Sequence, residues 1–275
     1  MNRLTYFALA LTFPAAPVLN AQAGPLGHDI VTCLKVQPGK ATDFKQFEND
    51  IVKKVITAET DQGDMAAWFL LRTVFPTGEE ARCDYIAVSA HSDIPPTPQG
   101  PEHLADLLRK AQTGLSPEAY LAKAAQVARI VSTEMWRTVV LVGEVQKGDY
   151  LYMNFMKVHD APNYLAFEQN IWKPMGEAWV KDGTFHAWMV MVPFLPSGVG
   201  LPYQLVSADV FPTWEQALKG EEEVNTWKRV HPEMTLQQAE EKLVKLRDLD
   251  RRYFLTVQEK ILPGQPRAAA AGADK

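Results

Sequence analysis

The chain has 275 residues, 47% of them hydrophobic and 22% charged, with a net charge of −5. That length holds one large domain or two of ordinary size, with a composition suited to a packed core. An acidic chain without a Lys/Arg run excludes nucleic acid as a ready partner and argues against anionic membrane surfaces.

The first residues read as a targeting segment. Arg3 gives a positive start, residues 4–13 are apolar but too few to span a bilayer, and Pro14 and Pro17 break the run. Ala21-Gln22-Ala23 then offers a small-x-small cleavage pattern, so residues 1–23 are expected to be a signal peptide. The expected location is the periplasm or the exterior, with no membrane attachment after cleavage.

Past this segment, residues 30–36 are β-rich and stop at Pro38-Gly39, which predicts a strand. Phe44, Phe47, Ile51 and Val55 repeat at helical spacing within 42–58. Two strands follow, 65–75 and 82–90, expected to form a hairpin. Helices are predicted at 102–112 and 117–131, and a fourth strand at 135–145. The series then recurs: strand 149–158, helix 163–180, strands 185–192 and 203–211, helices 214–229 and 235–249, and a last strand at 253–261. Residues 263–275, rich in Ala, Gly and Pro, read as a disordered tail.

The recurrence is written in the residues themselves. Residues 44–78 and 164–198 align without a gap, and ten of 35 positions are identical, among them Glu48/Glu168, Ile51/Ile171, Lys53/Lys173, Gly63/Gly183 and Trp68/Trp188. Average residue usage would give roughly two. Strand–helix–strand–strand–helix–strand is the ferredoxin-like order, so repeats are expected at 28–147 and 148–262. Such a sheet carries helices on one face only, and a second copy would cover the other, with the two sheets facing one another.

This duplicated pattern, with Phe-Glu-x-x-Ile-x-Lys on the helix and Ala-Trp on the strand after a Gly, resembles the dimeric α+β barrel superfamily in fused form. The resemblance covers about residues 30–261. It implies an α+β fold and small-molecule binding or chemistry inside the barrel. Members include cofactor-free monooxygenases, isomerases and the haem-binding chlorite dismutase group.

Glu48 and Glu168 are the sharpest chemical feature. Each falls inside the apolar arc of its helix, where a carboxylate is costly unless paired. One reading is a buried general base with a raised pKa; the other is a structural carboxylate kept in both copies. His186 breaks the repeat, since Ala66 stands in the first copy, and shares a strand side with Trp188. Tyr152 and Asn154 replace Ile30 and Thr32, so the second copy is the more polar and the better place for a pocket. The expected site is therefore Glu168 as base and His186 as acid or donor, with Tyr152, Asn154, Trp172, Trp188 and Tyr203 lining a small-molecule pocket that needs no cofactor.

Two alternatives stand beside it. One is a haem protein with His186 or His159 as axial ligand. The other is a non-catalytic structural or interaction protein with both halves filled by side chains. No HxH, HxxxH or HExxH spacing points to zinc. Cys33 and Cys83 leave two outcomes open, a disulfide or two buried thiols. Oligomeric state is left open as well.

Overall fold

The computed structural model describes residues 27–63, 65–97, 100–198, 200–219 and 223–264. The expected signal peptide and most of the expected tail lie outside these residues.

The first half runs β1 (Gly27–Val36), α1 (Ala41–Phe47), a π-helical turn (Glu48–Val52), α2 (Lys53–Thr60), β2 (Ala67–Phe75) and β3 (Tyr85–His91). It ends with α3 (Pro101–Lys110), α4 (Pro117–Val127) and β4 (Ala128–Gly143). The second half repeats the series with β5 (Tyr150–Val158), α5 (Ala161–Phe167), a π-helical turn (Glu168–Trp172), α6 (Lys173–Asp182), β6 (Ala187–Leu195) and β7 (Leu205–Phe211). It closes with α7 (Trp214–Lys219), α8 (Glu223–Val230), α9 (Leu236–Leu246) and β8 (Arg247–Ile261). Local chemistry sets several helix starts. Ser116, Asp160 and Thr235 each accept a backbone N–H of the first turn, and Gln238 completes a capping box with Thr235.

The eight strands form one closed barrel in the order β1-β3-β2-β8-β5-β7-β6-β4, and every pairing is antiparallel. In each half the fourth strand lies beside the first, then the third, then the second. The halves meet at two seams, β2 with β8 and β4 with β6. The barrel implied by the family resemblance is present, and the two sheets expected to face one another are joined edge to edge into it. An open edge strand leaves a row of backbone donors and acceptors unpaired, and joining edge to edge satisfies both rows.

Pairing within each half explains a boundary difference. β4 and β8 begin at Ala128 and Arg247, well before the predicted 135 and 253, and run 16 and 15 residues. Their early residues pair with β1 and β5, and β4's later ones with β6. Pairing with the first strand of the same half overrides the helical pattern that the sequence shows there.

Strand alternation sends one set of side chains into the barrel and the other toward the helices. The interior is filled by an apolar cluster that includes Val31, Leu71, Trp136, Met153, Val206 and Leu255. The void left in it is about 30 Å³. Cys33 and Cys83 form a disulfide at this wall, with Cα atoms 5.2 Å apart. The opposite set, including Trp68 and Leu70 in the first half and Trp188 and Val190 in the second, packs under the helices.

Candidate functional site

The largest departure between the halves lies under the second helical layer. There a cavity of about 410 Å³ opens between α5, α6 and the outer face of β5, β7 and β8. It is outside the barrel, whereas the family resemblance implied small-molecule chemistry inside. The barrel interior is already packed with side chains, so the space left over falls between helix and sheet.

Glu168 stands on the cavity wall and is almost wholly buried. It is the first residue of the π-helical turn, where i→i+5 bonding inserts an extra residue and re-aims the side chains. Tyr164, one turn earlier, donates its hydroxyl proton to Glu168 Oε1. Burial pushes the Glu168 carboxyl up to about 7, against the lowering effects of the Tyr164 hydrogen bond and of Arg247; Asp209 adds to the rise. Burial also raises the Tyr164 hydroxyl, as does the neighbouring carboxyl. Glu168 can therefore hold or release a proton near neutral pH.

The floor is a polar ladder across three strands. The register pairs Asn154 with Arg252 on β8 and with Ser207 on β7. Arg252 Nε donates to Asn154 Oδ1 at 2.6 Å. Asn154 Nδ2 donates to Asp209 Oδ2 at 2.9 Å and to Ser207 Oγ at 3.2 Å. The Arg252 guanidinium lies 5.1 Å from the Tyr152 ring centroid, and Tyr152 donates its hydroxyl to the Ala217 carbonyl at 3.1 Å. The remaining walls are aromatic. Trp172 and Trp179 lie near-parallel with centroids 6.4 Å apart, and Trp179 abuts Phe185 at 4.9 Å. Trp188 fits beneath α6 because Gly176 offers no side chain: a Cβ there would lie 3.0 Å from Trp188 Cβ.

The first half fills the same space. Phe44 stands for Tyr164, Ile56 for Gly176, Ala87 for Ser207 and Ser89 for Asp209. Phe44, Trp68, Leu70 and Tyr85 join one apolar cluster there, with Phe44 and Tyr85 ring centroids 4.6 Å apart. Glu48 is buried in this setting, and its Oε2 has no hydrogen-bond partner among the described residues. Burial pushes it up to about 7, with Lys53 opposing and Glu259 adding to the rise.

Of the residues singled out from sequence, Glu168, Tyr152, Asn154, Trp172 and Trp188 line the one cavity. His186 and Tyr203 do not join them. His186 precedes β6, and its Nδ1 lies 2.8 Å from Asp149 Oδ1, which ties β6 to the turn between the halves. Tyr203 belongs to the barrel interior and donates its hydroxyl to Glu134 Oε2 at 2.6 Å. His159 is exposed and faces Asp248. Among the described residues no histidine lines the cavity, so a haem with His186 or His159 as axial ligand does not fit it. Among the described residues no cluster of His, Cys, Asp or Glu is arranged to hold a metal ion.

Tyr164, Trp179, Ser207, Asp209, Arg247 and Arg252 line the cavity but were not singled out. Three had a signal in the repeat itself, since Tyr164, Ser207 and Asp209 replace Phe44, Ala87 and Ser89 at the same offset. Arg247 has an arginine, Arg129, at the matching place in the first half, so the comparison of halves does not set it apart.

No protein-family model and no curated protein matches the sequence. Solved structures do. A provisionally assigned monooxygenase from Fusobacterium nucleatum superposes with a TM-score of 0.51 at 12% identity, over 86% of this chain and 95% of that one. An anthrone oxidase-like protein superposes with a TM-score of 0.50 at 11% identity, over 91% and 98%. At such identities the likeness is one of fold. The closed ring of strands, the helices on its outside and these neighbours together give the chain the fold of the dimeric α+β barrel superfamily, with both halves on one polypeptide.

Proposed function

We propose that the cavity of the second half binds a small organic molecule and that Glu168 exchanges a proton with it. The observation that carries this is the contrast within one chain. Two equivalent carboxyls are both buried and both pushed up to about 7, yet the side chains around Glu168 surround a polar cavity and those around Glu48 pack as an apolar cluster. A carboxyl poised near neutral pH is suited to general acid–base work. Without a cofactor, it can take a proton from carbon or oxygen beside a carbonyl. Returning the proton elsewhere gives an isomerase; leaving the carbanion to dioxygen gives a monooxygenase. The neighbours' names supply the second reaction class by analogy of fold alone.

The test compares Glu168→Gln with Glu48→Gln. A panel of enolisable and phenolic compounds is screened by quenching of tryptophan fluorescence and by turnover. Glu168→Gln is expected to lower turnover by about a hundredfold or more while ligand still binds; Glu48→Gln leaves both unchanged. Equal effects of the two substitutions would sink the assignment.

The scaffold reads as two ferredoxin-like repeats from one duplicated half, which the shared strand order supports. The working location we infer is the periplasm or the exterior. The leader-like residues 1–23 and the Cys33–Cys83 disulfide both support it. N-terminal sequencing of the mature protein should begin at Gly24; an intact Met1 on accumulated cytosolic protein would refute export.

A further inference from the structure

We infer that the ligand of the second-half cavity is an aromatic oxyanion, such as a fused-ring carboxylate, with its charged oxygens turned toward Arg247 and Trp179. This rests on the small-molecule reading above and adds the ligand's chemistry.

Two buried donors carry it. Trp179 is 4% exposed, and its Nε1 has no hydrogen-bond partner among the described residues. The same holds for Arg247 Nε. Both side chains line the cavity. An indole N–H and a guanidinium N–H donate and never accept, so only an acceptor can satisfy them. Leaving such a donor unmet is costly. Two buried donor atoms of the site, on buried Trp179 and half-buried Arg247, thus ask for oxygen acceptors.

The charge around the cavity agrees. Arg247, Arg252 and Lys219 line it, against Asp209 and Glu168, in a chain whose net charge is −5. Arg252 and Asp209 bond to opposite ends of the Asn154 side-chain amide and offset one another. With Glu168 protonated, Arg247 and Lys219 remain as uncompensated cations in the cavity wall. An anion entering such a site meets two cations, half-buried Arg247 and exposed Lys219.

The hydrocarbon part of the ligand follows from the other walls. Trp172, Trp188, Phe185 and Tyr152 present ring faces and edges, which prefer a flat aromatic partner to an aliphatic chain. The volume of about 410 Å³ lies within the range of small-molecule sites, roughly 300–1,000 Å³.

The probes are 2-naphthoate and its neutral isostere 2-naphthamide, titrated calorimetrically into the whole mature protein near pH 6. Naphthoate is expected to bind at least about tenfold more tightly than naphthamide, as a charge-assisted hydrogen bond should give. Arg247→Gln removes that preference, and Trp179→Phe reduces it; Glu48→Gln leaves it intact. The wild-type comparison decides the matter even if a variant folds poorly. Naphthamide binding as tightly as naphthoate overturns the oxyanion assignment and leaves a neutral-ligand site standing. Binding of neither probe also overturns it, and the small-molecule reading is then decided separately by the Glu168→Gln and Glu48→Gln pair.

Discussion

A carboxyl pushed up to about 7 in the folded state, from an ordinary 4.5, favours folding most when it is protonated. The unfolded chain releases that proton near 4.5 and the native one near 7. The contribution is therefore fully present below about 4.5 and is lost as pH rises through about 7. Each group costs on the order of 3 kcal/mol above that range. Urea unfolding at pH 5 and pH 8 should show native stability falling with pH, and Glu48→Gln should remove about half of the fall. An unchanged pH dependence in Glu48→Gln would contradict the burial assigned to it. At this scale the sequence was legible wherever a polar residue broke an apolar stripe or the repeat. That found Glu168, Tyr152 and Asn154. The same rule also picked out His186, because a departure from the repeat marks a new contact without saying with what. The contact is Asp149.

Among elements, the π-helical turn is the feature shared by both halves and invisible to a count at 100° per residue. It places Glu48 and Glu168 against the sheet through backbone bonding, which residue spacing does not record. What separates the halves is smaller. Gly176 lets Trp188 pass under α6, whereas Ile56 takes that volume in the first half. Gly176→Ile should drive Trp188 aside, cost about 1–3 kcal/mol by overpacking and abolish ligand quenching of tryptophan fluorescence. Retained binding with unaltered stability would show that the close approach is not needed. Gly143 constrains the seam in the same way. Its φ is +75°, and a Cβ would sit 2.1 Å from the His186 carbonyl oxygen, so β4 can end beside β6 only with glycine. Periodicity located most elements but placed the starts of β4 and β8 late, since their first residues are held extended by β1 and β5, which lie some ninety residues earlier in the same half.

For the molecule as a whole, the duplication was legible because identical residues recur at nearly constant offset. The barrel followed from the family resemblance, but which strands form its seams did not, because edge-to-edge pairing depends on which backbone rows are left over once both halves have formed. Freed of its partner, residues 27–147 would expose the outer edges of β2 and β4, which the seams normally cover. That fragment should self-associate, and light scattering should report a dimer or larger. A well-folded monomer would mean the seams contribute little. The helical layer over the site also leans on the first half, since Val140 of β4 packs in the cluster beneath it.

The ring carries one more implication, for how the gene could be rearranged. His28 pairs with His91, Ala67 with Ala90, and Trp68 with Ile261, so the start of β1 and the end of β8 share a rim three strands apart. At strand spacing that is about 14 Å, a gap that a linker of five or six residues spans. A circular permutant opened in the turn at Gln146–Asp149 would keep every strand neighbour while exchanging which half is translated first. The barrel is thus indifferent to reading order, and the half bearing the cavity has no need to come second.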